Sequence, residues 1–449
     1  MTDLPRFFTM IFPRLVLLLG WTMPVKAQIE IHTLTDLRNK DVDLKLDESY
    51  ITTKIDSCGF ASFEVPDTIQ SRYASIHGPL GNITLYVAPK EKLTVVWTER
   101  GKASFKGENH AINDYLNDNF QYRLPIDNQV SDTAFVRQWE RVYGQLVKHL
   151  EQAGLPDTFI ASERVRLYYV AAYHLINYPM MHARLTGKSY YSPSEYYWMK
   201  LDSVMKENVK AYGFWEYRQA FRDWIKMKVD HSMPSSSQAG QLSNNIKYVQ
   251  EHIHDVQLAD YLLNDYLTYH IQHYGTDGVE SYIERYDTMV RNLTYRNEFH
   301  AFCQRFAAIA QGKKAPEFIL NDVTGKPISL YSLKGKYIYI DVWATWCMPC
   351  RREFPYLKLL ERELRGRNIA FIGISIDKDL QAWKQYVGEG QLTGIQLYAG
   401  TGGSFNEQYK ISAIPRFILI DPQGNILNAY MSRPSDPATL KTIRKHINH

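Results

Sequence analysis

The amino-acid sequence predicts an α/β fold for the last third of the chain, a mixed sheet flanked by helices. A small antiparallel β domain and an α-helical region precede it. Three observations lead there. From about Gln28 to Gly107, apolar and polar residues alternate with the period of half-buried strands. From about Asn109 to Gly312 the apolar spacing becomes helical. From Ala315 onward, strand-like apolar runs alternate with helical stretches, the order of a sheet with a parallel portion. The resulting boundaries are 1–27 for a signal peptide, 28–108 for a β-sandwich-like domain, 109–312 for the helices and 313–449 for the α/β domain.

Composition narrows the class before any motif is read. Apolar residues make up 45% of the 449, enough for packed cores and too many for disorder. The formal net charge is +4, with no basic block and no acidic tail, which argues against nucleic acid as a partner. The 32 Tyr and 9 Trp read as core and interface packing. Four cysteines, Cys58, Cys303, Cys347 and Cys350, are too few for a disulfide-stapled scaffold. Cys58 and Cys303 either pair or stay as two separate buried thiols. At the N-terminus, Arg6 and Arg14, the apolar run Leu15–Trp21 and the small residues of Val25-Lys26-Ala27 read as a secretory signal peptide cleaved after Ala27. The apolar run is too short to span a bilayer as a helix. The mature chain is therefore expected in the periplasm or another extracytoplasmic space, and a membrane anchor is the less favoured outcome.

The first two thirds of the chain show architecture more than chemistry. Ile83-Thr84-Leu85-Tyr86-Val87 and Leu93-Thr94-Val95-Val96-Trp97 alternate on either side of a break at 88–92. Phe135, Trp139, Val142, Tyr143, Leu146 and Leu150 share one helical face behind a Ser131-Asp132 cap. Leu258, Tyr261, Leu262, Tyr266 and Leu267 share another, and 234–238 is a loop. His252, His254, His270 and His273 invite a metal reading, but no acid or Cys completes a ligand motif, so no metal is expected.

Chemistry concentrates at Trp346-Cys347-Met348-Pro349-Cys350. The apolar run Tyr337–Trp343 before it reads as a buried strand, and Arg351–Leu360 after it as a helix. A Cys-x-x-Cys at a strand-to-helix turn is redox geometry. The first sulfur sits where unpaired backbone N–H groups and the helix dipole favour the thiolate, the species that attacks disulfides. The second lies one turn on, close enough to close the ring. A zinc site would need about four ligands, and no second Cys pair exists. Around this motif the sequence predicts a hairpin within Glu317–Ser332, strands at 369–376 and 395–398, and helices at 379–387 and 405–409. A strand pair, Arg416–Ile420 and Ile426–Tyr430, and a final helix at 437–447 complete the domain.

The run Tyr339–Cys350, the following Glu353-Phe354-Pro355 and the distant Ile414-Pro415-Arg416-Phe417-Ile418-Leu419-Ile420-Asp421 resemble the thioredoxin superfamily. They are most similar to the TlpA- and ResA-like extracytoplasmic thiol–disulfide oxidoreductases. The resemblance covers Ala315 to the C-terminus. More loosely, Gln28–Gly107 looks like the small β domain that precedes such domains in Bacteroidetes exported proteins. The resemblance implies a thioredoxin-like fold with Cys347 as the exposed nucleophile and Cys350 as the more buried resolving thiol. Met348-Pro349 would set the turn and the redox poise, favouring a reductant. Pro415 matches the family's cis-proline, with the Ile414 backbone beside Cys347 pairing with an extended client strand. Arg416, where many thioredoxins carry Thr, would place charge beside the dithiol and bias partner choice. Asp341 matches the buried acid. Burial raises a carboxyl pKa, so Asp341 could take and return the Cys350 proton. Glu353 matches an acid that tunes the thiols, and Trp346 forms part of the client-facing rim.

The implied function is reduction or isomerisation of disulfides in extracytoplasmic proteins. No cofactor is implied beyond the Cys347–Cys350 disulfide. The implied partners are disulfide-bearing protein clients and an upstream membrane thiol reductase. Two alternatives remain. A thiol peroxidase of the AhpC/TSA type needs Pro-x-x-x-Thr-x-x-Cys, whereas Ala344 stands three residues before Cys347. A binding or adaptor protein would instead use the dithiol to engage one dedicated client.

Overall fold

The structure, a computed structural model, describes residues 27–46, 49–65, 72–99, 102–118, 125–390 and 392–447. The predicted signal peptide lies outside them, Ala27 excepted. The chain packs as two compact units that divide between Trp224 and Ile225, inside the helical region rather than at either of its ends.

The first unit opens with β1 (Ala27–Thr33), β2 (Asp41–Leu46), β3 (Ser49–Lys54), β4 (Phe60–Val65), β5 (Arg72–Gly78), β6 (Gly81–Val87), β7 (Lys92–Glu99) and β8 (Lys102–Lys106). They form two four-stranded sheets, in the orders β4-β1-β7-β8 and β3-β2-β5-β6. The period-two pattern turns Ile29, Ile31, Val42, Leu44, Ile76, Leu85, Val95 and Trp97 into one shared core. All pairings are antiparallel except β1 with β7, which is parallel. Alternation cannot reveal that pair, because side chains alternate in either direction of pairing. Helices α1 (His110–Asn117), α2 (Asp132–Gln152), α3 (Asp157–Leu185) and α4 (Glu195–Val204) come next. Phe135, Trp139, Val142, Leu146 and Leu150 of α2 are buried as expected and Tyr143 is half-buried, and Ser131 caps the helix by accepting the Ala134 N–H. A buried ionic cluster ties β5 to α3. The Tyr73 hydroxyl donates to Glu163 at 2.5 Å, and Arg166 grips the same carboxylate at 2.7 and 2.8 Å while reaching Glu216 at 2.6 Å. Removing one member would strand a buried charge, the costly case for such clusters.

Helix α5 (Trp215–Ser232) contains the division between the units. The second unit continues with α6 (Gln238–His252), α7 (Val256–Tyr274), α8 (Glu280–Glu284), α9 (Tyr286–Met289) and α10 (Leu293–Ala307). Then come β9 (Ile319–Asp322), β10 (Pro327–Ser329), β11 (Tyr337–Trp343), α11 (Met348–Glu363), β12 (Ile369–Ser375) and α12 (Leu380–Gly388). β13 (Ile395–Tyr398), α13 (Ser404–Gln408), β14 (Arg416–Ile420), β15 (Ile426–Met431) and α14 (Pro437–Ile447) complete it. The seven strands order as β10-β9-β13-β12-β11-β14-β15. The three central strands β11, β12 and β13 are parallel and the hairpins at both edges antiparallel, so the sheet is mixed as expected.

Strand β11 lies between β12 and β14 and is covered on both faces. Ile338, Ile340 and Val342 face one core cluster, and Tyr339 faces another with Leu357, Leu360 and Phe417. A strand buried on two sides needs a nearly continuous apolar run, which is what Tyr337–Trp343 supplies. Asp341 is the exception, and the site grows from it.

Of the four histidines that invite a metal reading, three make ordinary packing or hydrogen-bond contacts. His270 is buried in α7, where desolvation pushes its pKa down to about 4. His252 packs edge-on against Tyr248, and His273 Nδ1 lies 2.8 Å from the Tyr269 carbonyl. Cys58 and Cys303 are both free thiols. The expectation of two buried thiols is corrected at both positions: Cys58 is exposed in the turn between β3 and β4, and Cys303 is half-buried on α10.

Candidate active site

The turn from β11 to α11 runs through Ala344, Thr345 and Trp346 to Cys347. Cys347 is the N-cap of α11, with extended backbone, and its Sγ accepts the Cys350 N–H at 3.2 Å. That N–H is one of the orphan donors of a helix start. Pro349 fits the first turn because no helical hydrogen bond is lost there. Cys347 and Cys350 are joined as a disulfide, with their Cα atoms 5.3 Å apart. Cys347 is 4% exposed and Cys350 0%. The predicted exposed nucleophile is thus nearly covered in the disulfide form, its sulfur enclosed by Cys350 and the surrounding core. The ranking of the two cysteines holds, with Cys350 the deeper. What faces solvent is the rim of Trp346, Met348 and Pro349.

Asp377 holds this turn in place, and sequence reasoning passed over it. Its carboxylate accepts the Thr345 N–H at 3.0 and 3.1 Å, the Thr345 hydroxyl at 2.7 Å and the Ser375 hydroxyl at 2.8 Å. The parallel pairing that sets Ser375 opposite Trp343 brings Asp377 alongside. In the sequence it looks like any acid past a strand end. Asp377→Ala would leave the two half-buried Thr345 donors and the buried Ser375 hydroxyl without their acceptor and is expected to cost about 2–3 kcal/mol in urea unfolding.

Two buried carboxylates accompany the dithiol. Asp341 is 2% exposed, and its Oδ1 has no hydrogen-bond partner among the described residues. Burial, and then the charge of Glu353, push its pKa up to about 8. Glu353, buried on α11, accepts the Ser435 N–H at 2.9 Å and the Ser435 hydroxyl at 3.0 Å, with Arg433 Nη1 4.0 Å away. These partners satisfy a buried anion, which otherwise pays heavily for desolvation. Ser435 gave no sequence signal either. Glu353→Gln removes the like charge beside Asp341. The Asp341 carboxyl should then titrate below about 8, as followed by its carbon chemical shift in NMR.

The distant motif arrives at the same end of the sheet. β14 runs antiparallel to β11 with Arg416 opposite Val342. Ile414 and Pro415 therefore lie at the end of β11 from which the Cys347 turn leaves. The Ile414–Pro415 bond is cis, and Ile414 packs against the cluster that contains both cysteines. Arg416 is not at the rim, which corrects the client-contact reading. It is 6% exposed, its guanidinium lies 3.2 Å from the centre of the Tyr430 ring, and its Nε donates to the Ala429 carbonyl at 2.5 Å. Every residue of β14 is buried because neighbours flank it on both edges and both faces.

Residues 310–445 match the Redoxin family. The thiol-disulfide oxidoreductase ResA of Bacillus subtilis (strain 168) is 28% identical over 120 residues, 27% of this chain and 66% of that protein. The thioredoxin-like protein YneN of the same organism is 27% identical over 146 residues, 32% of this chain and 84% of that protein. The C-terminal domain belongs to the TlpA/ResA-like thioredoxin-fold proteins. Among solved structures, a thiol-disulfide oxidoreductase from Bacteroides fragilis NCTC 9343 is similar at 30% identity. It covers 30% of this chain and 98% of its own, with a TM-score of 0.27.

In this TlpA/ResA-like domain the local chemistry is coherent. The helix start offers a donor to the sulfur that must become a thiolate. A carboxyl that titrates at about 8 is mostly protonated at neutral pH, with a minor ionised fraction. Ala344, buried three residues before Cys347, has no hydroxyl with which to bind a peroxide.

Proposed function

We propose that the protein is an exported thiol–disulfide oxidoreductase that reduces or isomerises disulfides of extracytoplasmic proteins through Cys347 and Cys350. One observation carries this reading: Cys347 caps α11 with its sulfur on the Cys350 N–H, bonded to a fully buried partner cysteine. In the dithiol form, the Cys347 thiolate attacks a client disulfide, and one client sulfur leaves as a thiolate. Cys350, its proton passed to the ionised fraction of Asp341, then attacks Cys347 Sγ; the bond between Cys347 and the client breaks, and the second client sulfur leaves as a thiolate. The client receives two electrons, and the chain is left as the Cys347–Cys350 disulfide. An extended client segment pairs with the backbone at Ile414, beside the rim of Trp346, Met348 and Pro349. A membrane thiol reductase regenerates the dithiol, and no cofactor takes part. The basic start and short apolar run of the first 27 residues support export. Among the described residues no helix is long and apolar enough to cross a membrane.

The deciding measurement is the reduction potential of the Cys347–Cys350 couple. A reductant is expected to lie below about −200 mV, and a value near −120 mV, the range of strong oxidants, would overturn the assignment.

A further inference from the structure

We propose that the C-terminal turn of α7, Gln272 to Gly275, is a positioning element for the client-pairing loop 412–416. This rests on the reading of the site as a thiol–disulfide exchange centre. It assigns part of that centre's grip on protein clients to a segment outside residues 310–445, the stretch that matches the family.

Two contacts pin the loop, one toward each end. Ser412 Oγ donates to the Gln272 carbonyl at 3.4 Å. That carbonyl is among the last four of α7, which have no partner within the helix. At the other end, Arg416 rests on the Tyr430 ring and is tied to the Ala429 carbonyl. The Tyr430 ring in turn sits against Gly275, which ends α7 with φ +85°, a conformation suited to glycine. A methyl group added at Gly275 would stand 2.8 Å from Tyr430 Cδ2. Glycine thus lets α7 stop there and lets the ring come close. Between the two pinned ends lie Ile414 and Pro415, and Ile414 packs against the cluster holding both cysteines. A loop fixed in advance lowers the ordering cost when an extended client segment pairs with it. A small disulfide offers far less extended backbone to pair with the loop and gains correspondingly less from it.

The test uses the full-length exported chain and its Gly275→Ala and Ser412→Ala variants, with insulin as the protein disulfide and oxidised glutathione as the small one. Both variants are expected to raise KM for insulin by about 5–10-fold, while the rate with glutathione stays within about twofold. The Cys347–Cys350 reduction potential should not move. An unchanged KM for insulin in both variants overturns the proposal. So does an equal loss with both disulfides, or a shifted potential, because the effect would then lie in the dithiol or in general stability. Should Gly275→Ala fail to fold, Ser412→Ala decides by the same criteria. A wild-type protein that exchanges with glutathione but not insulin sinks this proposal alone. One that exchanges with neither sinks the oxidoreductase reading beneath it.

Discussion

Replacing Cys347 with Ser is expected to lower disulfide exchange by roughly a thousandfold or more, because serine offers no thiolate at neutral pH. The Cys350→Ser variant should behave differently. Attack by Cys347 survives, resolution does not, and mixed disulfides accumulate on Cys347. They should appear as higher-mass species on a non-reducing gel and collapse with dithiothreitol. The asymmetry comes from position. Cys347 caps the helix beside the exposed rim of Trp346 and Met348, whereas Cys350 has no exposed surface. Many trapped clients would mark a general reductase, and a single one would favour the adaptor reading. Mixed disulfides that form only in the Cys347→Ser variant would reverse the assigned roles.

Asp341→Asn is the second large effect, and its sign can be worked out. The carboxyl titrates at about 8 in the fold against an ordinary value of 3.8. Between those pH values the folded protein keeps a proton that the unfolded chain has released. Stability therefore falls as pH rises through this window, and the whole penalty is present above the folded pKa. At about 1.4 kcal/mol per pH unit, the penalty is on the order of 6 kcal/mol. The Asn variant lacks it. Its stability in urea should vary less between about pH 4 and pH 8 and should exceed that of the native protein at the upper end. The same substitution should slow resolution of the mixed disulfide by roughly a hundredfold, the usual contribution of a positioned proton carrier. It should also erase the inflection in rate near pH 8. Superimposable pH profiles for the two proteins would remove Asp341 from the proton traffic.

The two effects differ in how legible their residues are. Cys347 and Cys350 stand out from spacing alone, since three residues within one helical turn bring two sulfurs together whatever surrounds them. Asp341 stands out as an exception, an acid in a run otherwise apolar enough to be buried twice over. Its surroundings do not. Glu353 meets Ser435 across 82 residues, and Thr345 meets Asp377 across 32. Serine and aspartate at strand ends and loops are ordinary surface residues until the fold sets them against a buried carboxylate or an open turn. Arg416 misleads for the same reason. Beside the cis-proline it reads as a rim charge, and only the stacking of β14 between β11 and β15 shows it buried on Tyr430.

By itself the sequence determined the order of strands and helices in the last domain, the redox turn at the start of α11, and the core faces of the β and helical segments. These rest on backbone period, helix-start chemistry and local spacing, all of which act within a few residues. Tertiary structure alone decided the rest. It set β1 parallel to β7, drew the division of the chain inside the helical region, clamped Glu353 with Ser435, and seated the end of α7 on the loop beside the dithiol. Each of these is a contact between segments far apart in the chain. Such contacts are chosen by which buried surfaces and unpaired polar groups fit one another, and no periodicity records that fit.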